Sequence, residues 1–269
     1  MKIKLLGIGL FALALTSCNS KNNEKEGESA DEKTYELVWA DEFDVDGLPD
    51  ADKWFLETDA PENGGWYNNE KQHYTDRIDN ASVSDGTLKI IAKKESYTHN
   101  GSTQEFTSAR FNSKFHFTYG KVEVRAKLPR MQGTWPAIWA LGTNLPEVGW
   151  PACGEIDMME QLFEDHLMVQ SAVHVAGRYG DYPALKQLSV TDVTENFHVY
   201  GMIWTEEKID VMVDGEVFFT YQPQDRSNEF WPFNKDNYLL LNVALGGSLG
   251  GDIAPDFTQD QMEVDYVRV

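Results

Sequence analysis

Basic side chains are scarce in this sequence. Its 269 residues hold 23 Lys and Arg against 44 Asp and Glu, a formal charge of −21. Phosphate backbones are held by clustered Lys and Arg, so a nucleic-acid partner is excluded and a polyanionic ligand is disfavoured. Cysteine is scarcer still, with only Cys18 and Cys153. That excludes the dense disulfide framework of a small secreted domain, so the fold must be held by its core. The apolar run Leu5–Leu15 has eleven residues, too short to span a bilayer. No window keeps a sustained helical spacing, and there is no internal repeat. Aromatic residues, by contrast, are plentiful: 12% of the chain, with eight Trp, 14 Phe and 11 Tyr. A disordered chain lacks such residues. A large core is therefore within reach, and an excess of Trp suits a surface that binds neutral sugars.

The N-terminus separates from the rest. Lys2 and Lys4 precede the apolar run, giving residues 1–17 the form of a signal peptide. The run closes on Leu15-Thr16-Ser17-Cys18, which resembles a bacterial lipobox. Cys18 would then be acylated and become the new N-terminus, with several acyl chains making the anchor stable. Cys153 would be left as the one thiol. Residues 18–34, lipidated Cys and acidic polar tract, read as a flexible tether. The acidity therefore belongs mainly to the folded body, residues 35–269. The expected location is a bacterial cell envelope, on the outer-membrane surface, with membrane contact only through the lipid and the protein acting as a monomer.

Within 35–269 the period is two. In Lys121-Val122-Glu123-Val124-Arg125-Ala126-Lys127-Leu128 charged and apolar residues alternate without a break, the pattern of a half-buried strand. Asp85-Gly86 and Asp214-Gly215 each sit between two such runs and predict two-residue hairpins, because a type I′ turn needs positive φ at both central positions. Further strands are predicted at 198–205, 237–245 and 262–269. The fold class is all-β, with antiparallel sheets in a sandwich.

The segment Gly154-Glu155-Ile156-Asp157-Met158-Met159-Glu160-Gln161 carries the chemistry. On a regular strand Glu155 and Asp157 share a face and Glu160 falls on the other. One extra residue, a β-bulge at Met158-Met159, would return Glu160 to the acidic face. Like charges so close repel and raise at least one carboxyl pKa. One ionised and one protonated carboxyl is the pair that glycoside hydrolysis needs. An acidic solvent-facing strand is the simpler alternative in so acidic a domain.

That segment resembles the catalytic signature of glycoside hydrolase family 16, in its bulged, laminarinase-like form. Six further segments follow the family's order: Trp39-Ala40-Asp41-Glu42-Phe43, Asn68-Asn69-Glu70-Lys71-Gln72-His73-Tyr74, Thr107-Ser108-Ala109-Arg110, Tyr119 to Ala126, Trp135-Pro136-Ala137-Ile138-Trp139 and Val264 to Val269. The resemblance implies a concanavalin-like β jelly-roll sandwich of two curved antiparallel sheets with an open cleft, and hence endo-acting cleavage. It makes Glu155 the nucleophile, Glu160 the general acid/base, and Asp157 the residue that tunes both. Trp66, Trp135, Trp139 and Trp150 would stack against sugar rings, and Asn69, Glu70, Arg110, Gln161, His174 and Asn242 would contact hydroxyls. No catalytic cofactor is implied. One structural Ca²⁺ would sit on the convex side, at Asp265 with Glu42 and Gly86 as backbone partners.

The Met158-Met159 pair favours the laminarinase-like branch over compact lichenases and xyloglucan transglycosylases, which keep strict alternation. A −21 domain is a poor host for sulfated galactans. The expected substrate is neutral β-glucan, β-1,3 or mixed-linkage β-1,3/1,4. The alternatives are a non-catalytic glycan-binding lipoprotein on the same fold and an agarase-like galactanase. The stretches Tyr97–Glu105 and Gly177–Ser189 are the loops expected to govern specificity.

Overall fold

A computed structural model describes residues 34–61, 64–162 and 165–269. The segment read as a signal peptide (1–17), Cys18 and all of the expected tether except Thr34 lie outside the described residues. No helix among the described residues is long and apolar enough to cross a membrane.

The Gly120–Lys127 strand shows how the alternation becomes architecture. Val122, Val124 and Ala126 are fully buried, while Arg125 and Lys127 reach across to Asp265 and Glu263 on the neighbouring strand at 2.6 and 3.0 Å. Such surface pairs are worth at most about 1 kcal/mol each, so the buried face is what holds the strand in place. It lies mid-way in a ten-stranded sheet. The order there is Glu216–Tyr221, Ile209–Val213, His198–Trp204, Gly120–Lys127, Gln259–Arg268, Thr87–His99, Ser102–Ser108 and Gln72–Tyr74, with Ala40–Asp41 and Ala81–Ser84 attached at its side. The second sheet has seven strands, ordered Ala184–Ser189, Met168–His174, Glu155–Gln161, Thr134–Gly142, Asn237–Leu245, Arg110–Phe117 and Trp54–Leu56. Residues Glu36–Val269 form one compact unit. This is the jelly-roll sandwich expected from the sequence.

Both hairpin turns have left-handed backbone at their two central residues: Asp85 (φ 53°) and Gly86 (φ 71°), Asp214 (φ 52°) and Gly215 (φ 83°). The strand expected at 237–245 forms with those bounds, and those expected at 198–205 and 262–269 form as His198–Trp204 and Gln259–Arg268. Three details differ from expectation. Gln72–Tyr74 runs parallel to Ser102–Ser108, the exception to an antiparallel sheet. The Tyr97–Glu105 stretch is mostly strand, turning only at Asn100-Gly101. Half of Gly177–Ser189 is the edge strand Ala184–Ser189. The last two carry polar residues because the strand lies at a sheet edge or extends beyond the core, so hydrophobic alternation is weak there; Gln72–Tyr74 is buried throughout and, at three residues, too short to show a period.

Between the sheets, Leu88, Ile90, Val124 and Val264 meet Ile138, Ile156, Met158, Leu241 and Val243, all fully buried. Trp54, Trp204 and Trp231 belong to this core and Trp39 packs against it. Cys153 is buried as a free thiol, so no disulfide contributes among the described residues.

Candidate active site

The seven-stranded sheet puts one set of residues into the core and the other into a cleft of about 540 Å³. Along Thr134–Gly142, Trp135, Ala137, Trp139 and Leu141 line the cleft, while Ile138 and Ala140 are core residues. Along Asn237–Leu245, Tyr238, Asn242 and Ala244 line it, while Leu239, Leu241 and Val243 face inward. The adjoining strand Glu155–Gln161 keeps this rule only with an irregularity. Asp157 pairs with Trp139, but it is Met159 that pairs with Ile138. On the other side Asp157 pairs with Ala172 and Glu160 with Gln170, so two methionines oppose one residue. Met158 and Met159 are both fully buried in the core. The bulge therefore stands where the sequence places it, and Glu155, Asp157 and Glu160 all line the cleft.

The three carboxyls have different partners. Glu155 Oε2 accepts the indole N–H of Trp150 at 3.0 Å. Glu160 accepts two N–H donors, from Trp135 at 3.1 Å and from Gln170 at 3.0 Å. Asp157 is 4% exposed and its Oδ2 has no hydrogen-bond partner. Burial raises all three pKa values. For Glu155 the charge of Glu160 adds to the rise, while the Trp150 bond and the Arg110 charge oppose it. For Glu160 only its two N–H donors oppose burial. For Asp157 both neighbouring glutamates add to burial and nothing opposes it, so it lies well above the ordinary range. Desolvation, rather than the mutual repulsion expected from the sequence, is thus the first cause. Burial and the Glu160 charge together push Glu155 up to about 8, so the three carboxyls share their protons as a set and hold less charge than three free acids would.

This arrangement makes stability fall with pH. A carboxyl whose folded pKa is raised binds more protons folded than unfolded between the two values, and there it destabilises the fold by roughly 1.4 kcal/mol per pH unit. The full stability is present below the unfolded pKa and is lost as pH climbs toward the folded one. Asp157→Asn is therefore expected to match the parent's Tm near pH 4 and to exceed it increasingly up to pH 8. A Tm difference that does not widen with pH would contradict the assignment.

His174 faces the same pair of acids, its Nε2 lying 3.5 Å from Asp157 Oδ2 and 3.8 Å from Glu155 Oε1. Burial pulls its pKa down to about 4, so the ring is neutral at pH 7. Its Nδ1 accepts the Gly180 N–H at 3.2 Å. The ring proton must then sit on Nε2, pointing at the carboxyls. These three residues are the one trio of ligand-type side chains that converges among the described residues. The tautomer turns a proton, not a lone pair, toward the place a cation would take.

A second network holds the cleft-facing aromatics. Trp139 Nε1 donates to Asn242 Oδ1 at 2.8 Å, Asn242 Nδ2 donates to the Tyr74 hydroxyl at 3.0 Å, and that hydroxyl donates to Glu70 Oε2 at 3.1 Å. Burial raises the pKa of Glu70. The Arg110 guanidinium lies 4.8 Å from the Trp139 ring centroid and 5.4 Å from that of Trp66, with Nε 2.8 Å from Glu57. Four Trp, Glu70, Arg110 and Asn242 thus line one cleft with the acids.

Other expected residues lie elsewhere. Asn68 lines the cleft and Asn69 does not. Both take left-handed backbone (φ 59° and 62°), a tight turn in which strand parity has no meaning. Gln161 is fully buried, donates to the His166 carbonyl and is absent from the cleft wall. One residue past the realigned Glu160, it points to the opposite face. None of the three residues expected at the structural calcium lines the cleft. Glu42 takes two bonds from Arg268, both 2.8 Å, Asp265 takes one from Arg125 at 2.6 Å, and Gly86 occupies its hairpin turn. Gln170 and Glu57 were not singled out from the sequence. The signal for Gln170 was available, since it shares strand parity with His174; Glu57 carried none.

The profile of the family Glycosyl hydrolases family 16 matches residues 68–268. A beta-glucanase of Rhodothermus marinus is 39% identical over 251 residues, covering 87% of this chain and 85% of that protein. A LamA variant of Zobellia galactanivorans, solved with laminaritriose and laminaritetraose, is 47% identical at a TM-score of 0.80 over 86% of this chain and 97% of that one. The laminarinase catalytic domain of Thermotoga maritima is 36% identical at a TM-score of 0.82, covering 88% and 98%.

Proposed function

The chain belongs to glycosyl hydrolases family 16, and from that premise we propose that it is a retaining endo-β-glucanase that cuts internal bonds of laminarin-type β-1,3-glucan or mixed-linkage β-1,3/1,4-glucan. It is a glycoside hydrolase and its catalysis needs no cofactor. The observation that carries the reaction is the arrangement on one strand: the bulge brings Glu155, Asp157 and Glu160 to one cleft, with Asp157 between the two glutamates. A purely glycan-binding protein has no use for such a pair.

In the first step Glu160 gives its proton to the glycosidic oxygen while Glu155 attacks the anomeric carbon. The C–O bond to the leaving sugar breaks and an ester to Glu155 forms. In the second step Glu160, now ionised, takes a proton from water. The water oxygen attacks the same carbon, and Glu155 leaves as carboxylate. Two inversions give retention. Asp157, protonated beside both glutamates, can donate a hydrogen bond to Glu155 as its charge changes. The indoles of Trp135 and Trp150 do double duty, since each bonds a catalytic carboxyl and also lines the cleft.

The test sets laminarin, barley mixed-linkage glucan, agarose and xyloglucan side by side, with the first-formed product anomer read by NMR. The expected result is cleavage of one or both glucans with the β-anomer appearing first. Cleavage of agarose alone would overturn the substrate, and a first-formed α-anomer would overturn the mechanism. The neutral-substrate reading rests on the acidity of the body. The reading of Cys18 as a lipid anchor on a bacterial outer-membrane surface rests on the Leu15–Cys18 motif, and is measured by whether detergent is needed to release the protein from cell envelopes. One structural Ca²⁺, held by Asp265 with Glu42 and Gly86 as backbone partners, belongs to this reading by family resemblance, and is measured by whether a chelator lowers the Tm.

A further inference from the structure

The turn after the Met168–His174 strand lies beside the catalytic acids and closes on itself. Val175 and Arg178 exchange backbone hydrogen bonds of 3.0 and 2.8 Å, and Arg178 Nε donates to the Tyr182 carbonyl at 3.2 Å. Two contacts leave this turn toward the site. The Tyr179 ring stands edge-on to Trp150, with centroids 5.4 Å apart and planes at 84°. The Gly180 N–H bonds His174 Nδ1.

Both contacts end at the same carboxyl. Trp150 donates to Glu155 Oε2 and His174 faces Glu155 Oε1. Trp150 is 46% exposed, and an indole so open to solvent keeps several rotamers unless something flanks it. Its flanks are Tyr179 on one side and His174, at 5.9 Å, on another.

We propose that the 175–182 turn is a positioning element for the nucleophile, Tyr179 acting through Trp150 and Gly180 through the tautomer of His174. This rests on the reading of Glu155 as nucleophile. Tyr179 is 48% exposed, so its removal costs the fold little and its effect on the reaction can be read cleanly.

The experiment compares Tyr179→Ala, Tyr179→Phe, Trp150→Phe and the double variant Tyr179→Ala/Trp150→Phe on laminarin. Tyr179→Ala is expected to lower kcat about tenfold with KM nearly unchanged, as misplacement of a reacting group does. The acid limb of its pH profile should move upward, because Glu155 loses the N–H bond that favours its charged form. Trp150→Phe should move that limb in the same direction, the double variant should add little beyond Trp150→Phe, and Tyr179→Phe should restore kcat. A rise in KM alone would show Tyr179 to be a sugar contact and overturn the proposal. So would strictly additive losses or an unmoved pH profile. Failure of the underlying reading is told apart by Glu155→Gln, which would then remain active.

Discussion

Glu155→Gln is expected to abolish glucan hydrolysis, by on the order of 10⁵-fold, while oligosaccharide binding survives. The amide has the carboxylate's shape and can still accept the Trp150 N–H through its oxygen. What it lacks is the charge that attacks the anomeric carbon. With an amide at this position no carboxylate is left in the nucleophile's place to form the ester. The aromatic floor of Trp135 and Trp139, and the polar pair Arg110 and Asn242, do not depend on it. Calorimetry with a laminari-oligosaccharide should therefore give a Kd within a few-fold of the parent's, beside a reducing-end assay at background. Undiminished turnover would end the mechanism proposed here. The same pair of measurements disposes of the binding-only alternative, because a binding protein has no turnover for the substitution to remove.

Glu160→Gln is expected to behave differently, and the difference identifies the acid. On polysaccharide the loss should be about 10²–10⁴-fold, the range for removing a general acid. On an aryl β-glucoside with a good leaving group the first step needs no proton, so glycosylation of Glu155 should stay fast. Hydrolysis of the ester then lacks a base and becomes slow. Added azide needs no base, and should speed turnover and yield a β-glycosyl azide. Equal losses on both substrates, without rescue by azide, would remove Glu160 from this role. Trp135 donates to Glu160 Oε1 and Gln170 to Oε2 in the parent; in the variant the amide oxygen keeps the Trp135 bond and a flipped Gln170 amide accepts from the new NH₂, so the change is one of chemistry rather than of packing.

What the sequence made legible was facing. Alternation in Gly120–Lys127 and the parity of Glu155, Asp157 and Glu160 are local properties, written within a few residues. The two Asp-Gly turns are local as well. What it left unread was partnership across the sheet. Asn242 meets Trp139 across 103 positions of sequence and Tyr74 across 168, and no local pattern names such partners. Glu57 is brought to Arg110 by strand order alone. The parallel pairing of Gln72–Tyr74 is invisible for the same reason. Asn69 and Gln161 lie off the cleft wall for two local reasons: Asn69 sits in a left-handed turn, and Gln161 alternates to the opposite face one residue after Glu160.

The doubled methionine also fixes where this chain can change its length. Anywhere else along Glu155–Gln161, losing one residue would exchange inside for outside in everything that follows. At Met158-Met159 both side chains already occupy the same side. Omitting one would leave Glu155, Asp157 and Glu160 in unbroken alternation, at the expense of one buried side chain's volume. A six-residue and a five-residue spelling of the same three-acid face are thus neighbours one codon apart, and the core, not the chemistry, distinguishes them.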